Sequence, residues 1–124
     1  MPQEITTAAV QYRSGDEMVS AFLARPQEPG SYPAVLVIQE WWGLDDHIKD
    51  VTARFAREGY VGLAPDLYRG VVTNDPQQAM QLSRNLPRDR AVRDLQQAIA
   101  YLRGQGAVRG DRIGCIGFCM GGGM

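Results

Sequence analysis

The segment Gly117-Phe118-Cys119-Met120-Gly121 sets a thiol between two glycines, directly after the apolar run Arg112 to Gly117. Small residues two positions before and two after a nucleophile are the spacing of a strand-to-helix elbow, whose central residue is held in a strained turn that larger neighbours would obstruct. A sulfur held this way stands at a helix N-terminus, where unpaired N–H groups favour thiolate. The N–H of Met120 then points to where an oxyanion would form. Acyl transfer through a cysteine nucleophile is one reading. The other is a glycine-rich turn of a doubly wound protein carrying a small buried cysteine. Cys115, mid-strand between Gly114 and Ile116, is expected to be buried and inert. If the segment between them is extended, its Cα lies roughly 13 Å from that of Cys119, beyond the ~7 Å a disulfide spans. Two cysteines are also too few for a disulfide framework or a four-ligand structural zinc, so both are expected as free thiols.

A second set of reactive residues follows the apolar run Ala34 to Gln39. Glu40 is either a hydrated loop carboxylate or a group at the mouth of the site, able to hydrogen-bond the Cys119 thiol or orient a base. Trp41 and Trp42 serve as packing, or the backbone N–H of Trp41 supplies the second oxyanion donor. Asp66 reads first as the cap of its own loop and second as a triad acid. His47, the only histidine, is expected on the surface, because Ile48 and Val51 set the buried stripe and leave it outside.

The elements that must position these residues alternate. Ile5 to Tyr12 and Met18 to Arg25, separated by Ser14-Gly15-Asp16-Glu17, predict a β-hairpin. Ala34 to Gln39 is an unbroken apolar strand, buried on both faces. Asp45 and Asp46 cap a helix marked by Ile48, Val51 and Phe55 and stopped by Gly59. A second strand, Tyr60 to Ala64, leads into the loop Pro65 to Gly70. A short helix from Pro76 to Arg84 precedes a firmer one from Pro87 to Arg103, with Val92, Leu95, Ile99 and Leu102 at helical spacing. Arg112 to Gly117 is the last strand. The expected fold is α/β, a mostly parallel sheet with an antiparallel hairpin at one edge, and function at the carboxyl ends of the strands.

A chain of 124 residues supports one core and not two domains. Its apolar runs are too short to cross a bilayer, and a formal charge of -1 with scattered basic residues gives no footprint for nucleic acid or anionic lipid. The start, Met1-Pro2-Gln3-Glu4-Ile5, has no basic stretch followed by an apolar one, so a cytoplasmic location is expected.

The segments Val35–Leu44, Arg57–Tyr68 and Ile113–Gly122 resemble, in order and spacing, the dienelactone hydrolase family of α/β-hydrolases. The resemblance implies that residues 1–124 are a single, incomplete domain, the amino-terminal half of the family's fold ending just after the elbow. It further implies that Cys119 is the nucleophile of a Cys-His-Asp triad and that Glu40 holds the resting thiol and takes part in its activation. Trp41 and Met120 would donate the oxyanion N–H groups, with Trp42 and Tyr68 as candidate walls of the substrate pocket. The implied reaction is hydrolysis of a small-molecule ester or lactone through an acyl-thioester, without a cofactor or metal. The family's acid and histidine follow later strands, so the implied partner is a missing carboxyl-terminal half or a complementing chain. In the region Gly70 to Pro87, where family members hold a substrate carboxylate with an arginine, this chain has only Arg84. Two alternatives of other classes remain. One is a flavodoxin-like binding module using the amides of Gly121, Gly122 and Gly123, though the G-x-G-x-x-G spacing and a P-loop lysine are absent; the other is a redox sensor using Cys119.

Overall fold

A computed structural model of the chain describes residues 4–117. The strands β1 (Ile5–Ser14) and β2 (Glu17–Pro26) pair antiparallel from Ser14 opposite Glu17 outward, the hairpin that Gly15-Asp16 calls for. There follow β3 (Tyr32–Ile38), α1 (Asp46–Arg57), β4 (Val61–Pro65), α2 (Pro76–Asn85), α3 (Arg88–Arg103) and β5 (Val108–Gly117). The sheet order is β1-β2-β4-β3-β5. Strands β4, β3 and β5 run parallel, and β2 joins the hairpin to β4 antiparallel.

Alternation along β3 decides how the layers pack. Ala34 and Leu36 face a cluster with Tyr12, Val19, Leu63, Ala98 and Leu102, so α3 covers that side. Val35 and Val37 face Ile48 and Ala64, with Val51 and Phe55 beside them, so α1 covers the other. Leu36 and Val37 are both fully enclosed. Burial of each such side chain contributes about 2 kcal/mol, which is why an unbroken apolar run suits this central strand.

Helix α1 begins where the sequence places its cap: the Asp45 carboxylate accepts the Ile48 N–H at 3.1 Å. Its approach to the sheet depends on Gly62, because a Cβ there would lie 2.8 Å from the Thr52 methyl. Thr52 is buried in turn and donates its hydroxyl to the Ile48 carbonyl at 2.7 Å.

Helix α3 keeps Leu102 buried and Leu95 and Ile99 packed against the core, as the spacing predicts, but it is turned so that Ala91, Asp94 and Ala98 are buried and Val92 is 38% exposed. An acid takes the inward place because it meets an arginine there, as described below. Cys115 also departs from the expected burial. It is exposed, since β5 is the edge strand of the described sheet and only β3 flanks it.

Candidate active site

The carboxyl ends of β3, β4 and β5 lie on one side of the sheet, and the candidate residues gather on the loops that leave them. At the end of β3 the Gln39 side chain is fully buried, and its Oε1 accepts the N–H of Leu67 at 2.8 Å. This bond ties the loop after β3 to the loop after β4. Sequence reasoning placed Gln39 at the strand end without a role; a long polar side chain closing an otherwise apolar run was the available signal.

Glu40 opens a tight turn. The Gly43 N–H donates to the Glu40 carbonyl at 3.1 Å, and the two residues form an isolated bridge. Gly43 has a φ of 104°, and a Cβ on it would collide with the carbonyl oxygen of Val71. The Thr73 N–H also donates to the Trp42 carbonyl at 3.0 Å, so segment 71–73 backs the turn. The rings of Trp41 and Trp42 meet edge to face at 5.3 Å, both half-buried. The Glu40 side chain is 16% exposed, and its Oε1 lies 3.6 Å from Nε2 of His47, which is 61% exposed. His47 is thus on the surface as expected, and it is also the neighbour of Glu40.

Asp66 caps its loop. Its carboxylate accepts the N–H groups of Tyr68 at 3.1 Å and Gly70 at 2.6 Å. Burial pushes the Asp66 carboxyl up, and these two bonds oppose that shift. Tyr68 is 5% exposed, and burial pushes its phenol up to about 12. It borders a cavity of about 370 Å³ with Gln78, Gln81, Asn85 and Arg90, and Trp42 does not line it.

Behind Tyr68 lies a network that sequence reasoning missed. Arg69, at φ 54°, donates to the wholly buried Asp94 carboxylate at 2.7 Å and to Glu17 at 3.2 Å. The Ser14 hydroxyl donates to Asp94 at 2.6 Å, and the Tyr12 hydroxyl donates to the Asp94 carbonyl at 2.7 Å. The hydrogen bond from Arg69 holds the Glu17 carboxyl below its usual range, while the hydrogen bond to Asp94 is the main reason the Arg69 guanidinium is held above its own. Hairpin tip, β4 loop and α3 are locked together at one point.

On β5, Gly117 pairs in register with Ile38. Cys119 and Met120 lie outside the described residues. Though the residue is exposed, partial burial of its side chain pushes the Cys115 thiol up, away from thiolate. Among the described residues no group of three or more His, Cys, Asp or Glu side chains is placed to hold a metal ion, and no helix is long and apolar enough to cross a membrane.

A parallel sheet with helices on both faces, a hairpin at one edge and polar residues clustered at its strand ends has the architecture of an α/β-hydrolase. Residues 19–124 match the model of the dienelactone hydrolase family, and the chain belongs to that family. It is 38% identical over 112 residues to a Methylorubrum extorquens protein, covering 86% of this chain and 38% of the relative. It is 35% identical over 130 residues to a Synechocystis protein, covering 98% of this chain and 53% of the relative. Both are named "Putative carboxymethylenebutenolidase". A Klebsiella pneumoniae structure named "Putative Dienelactone Hydrolase" superposes with a TM-score of 0.87 at 30% identity, over 96% of this chain and 52% of that one. A dienelactone hydrolase-like promiscuous phosphotriesterase from metagenomic libraries gives 0.84 at 28%, over 94% and 50%. The chain spans about half the length of these two structures.

Proposed function

We propose that the whole protein hydrolyses ester or lactone bonds of small molecules in the cytoplasm, with Cys119 as nucleophile. One observation carries this reading. Gly117 and Ile38 are register partners on parallel strands, and Cys119 and Glu40 each follow their partner by two residues in the sequence. Parallel β3 and β5 thus end side by side, and this reading takes the carboxylate and the thiol to follow them at that end of the sheet. The names of the relatives and the family membership support a hydrolase over a flavodoxin-like module.

In this mechanism Glu40 holds the resting thiol and takes its proton, and the sulfur attacks the substrate carbonyl. The N–H groups of Trp41 and Met120 stabilise the oxyanion. Collapse breaks the acyl–oxygen bond, the proton taken by Glu40 passes to the departing oxygen as the alcohol leaves or the lactone opens, and water cleaves the remaining acyl-thioester to return the thiol. Tyr68, which borders the cavity of about 370 Å³, and Trp42 are read as walls of the substrate pocket. The turn backed by Val71 holds Trp41, and the Gln39–Leu67 bond holds the loop carrying Tyr68 at a fixed distance from it. Asp66 is spent on two backbone N–H groups, and His47 is 61% exposed beside Glu40. The triad acid and histidine are therefore assigned to sequence outside residues 1–124. The reading is tested in the full-length protein with a chromogenic short-chain ester. Cys119→Ala is expected to lose at least about a thousandfold in turnover, and intact mass should trap an acyl adduct on the unmodified enzyme. Full activity in Cys119→Ala would overturn the assignment.

A further inference from the structure

We propose that His47 is a positioning residue of this site: its imidazole, when charged, holds the Glu40 carboxylate and keeps it from accepting the Cys119 proton. The inference rests on the Cys119 and Glu40 reading above and adds a residue that reading leaves out.

The pair is fixed by backbone. Glu40 sits on the turn closed by the Gly43 N–H, the Asp45 N–H donates to the Gly43 carbonyl at 3.0 Å, and the Asp45 side chain starts α1 one residue before His47's own turn. Helix and turn thus begin close enough for the side chains to meet, with 3.6 Å between the imidazole nitrogen and the carboxylate oxygen. The two partners differ in environment. The Glu40 side chain is 16% exposed while that of His47 is 61% exposed, so an enclosed carboxylate has a partner in free proton exchange with solvent.

Histidine is the side chain whose charge ordinarily changes between pH 5 and 8. Activation moves one proton from the Cys119 sulfur to a Glu40 oxygen, and the bonding pair stays on sulfur. A cation beside that carboxylate lowers its affinity for the incoming proton. Charged His47 therefore opposes thiolate formation, and neutral His47 releases Glu40 to act.

The other groups around His47 define its charge environment. Asp45 and Asp46 border the same cavity, and Asp45 already spends one oxygen on the Ile48 N–H. Lys49 follows two residues along α1, and Asp50 is paired with Arg54 at 2.9 Å. The facing wall, Val72, Thr73, Asn74 and Gln78, carries no ionisable group, and Asp75 beyond it accepts the Gln77 N–H at 3.1 Å.

The test measures iodoacetamide alkylation of Cys119 in the full-length protein, separated from Cys115 by fragment-ion spectra. The parent, His47→Gln, Glu40→Gln and the double variant are compared between about pH 5.5 and 8.5. His47→Gln should alkylate at least about threefold faster than the parent at the acid end and converge with it at the alkaline end. In the Glu40→Gln background the substitution should change nothing. A ratio that is constant with pH, or one that survives without Glu40, overturns the inference. Should His47→Gln fold poorly, His47→Asn, which also removes the charge, carries the same comparison with the same outcomes. Ester hydrolysis by Cys119→Ala is read separately, since activity there sinks the nucleophile while the alkylation ratio still judges His47.

Discussion

At the residue scale one amide, Gln39, ties the strand-end loops together, and one carboxylate, Glu40, carries the proposed chemistry. If Glu40 accepts the thiol proton, Glu40→Gln in the full-length protein should lower turnover at least about tenfold with an unchanged circular dichroism spectrum. Undiminished hydrolysis would return Glu40 to the role of a hydrated loop residue. Gln39 was legible only as the end of a strand. Its function depends on Leu67, 28 residues away, whose N–H it accepts, and no local pattern in the sequence encodes that partner. Tyr68 supplies a pH signature. Its folded phenol ionises near 12 against an ordinary value of about 10, so the folded state holds this proton more tightly than the unfolded chain. Its contribution to stability is complete below about pH 10 and is lost as pH rises through 12. Ultraviolet titration should therefore show Tyr68 ionising near pH 12, with the step absent in Tyr68→Phe. A Tyr68 step near pH 10 would contradict its burial.

At the scale of elements, the ion pair between Arg69 and Asp94 fixes how the β4 loop meets α3. Arg69→Met would leave the Asp94 carboxylate wholly buried with only the Ser14 hydroxyl donating to it. Removing one partner of a buried pair typically costs about 3 kcal/mol, because the other charge remains uncompensated. Urea unfolding of the full-length variant should show a loss of that order, and a loss under about 1 kcal/mol would mean that Glu17 and Arg93 hold the region without it. This pair also shows where sequence reading stops. Helix existence and starts were legible, since Asp45 and the Ile48, Val51 and Phe55 spacing mark α1 and Pro87 marks the start of α3. The rotation of α3 was not. The apolar spacing of Val92, Leu95, Ile99 and Leu102 favours one face, but the small residues Ala91 and Ala98 flank Asp94 and allow the close approach that Arg69 and Tyr12 require. Rotation is chosen by a partner on a distant loop, so hydrophobic spacing alone misassigns Val92.

For the whole molecule, β5 decides whether residues 1–124 stand alone. It forms the edge of the described sheet and leaves its outer backbone groups open, while Phe55, Tyr60, Val35, Ile113 and Ile116 line an apolar groove beside it. An apolar edge of this kind templates pairing with another chain unless something covers it. Cys115 reports directly on the edge, because it is exposed on the strand itself. In a protein comprising residues 1–124 only, the sample should elute from size exclusion as dimers or larger assemblies without esterase activity. In the full-length protein Cys119 should alkylate at least about tenfold faster than Cys115, whose thiol is held away from thiolate by partial burial. A 13.7 kDa monomer of residues 1–124 that unfolds cooperatively and hydrolyses esters would show that β5 needs no cover and that the triad lies within this chain.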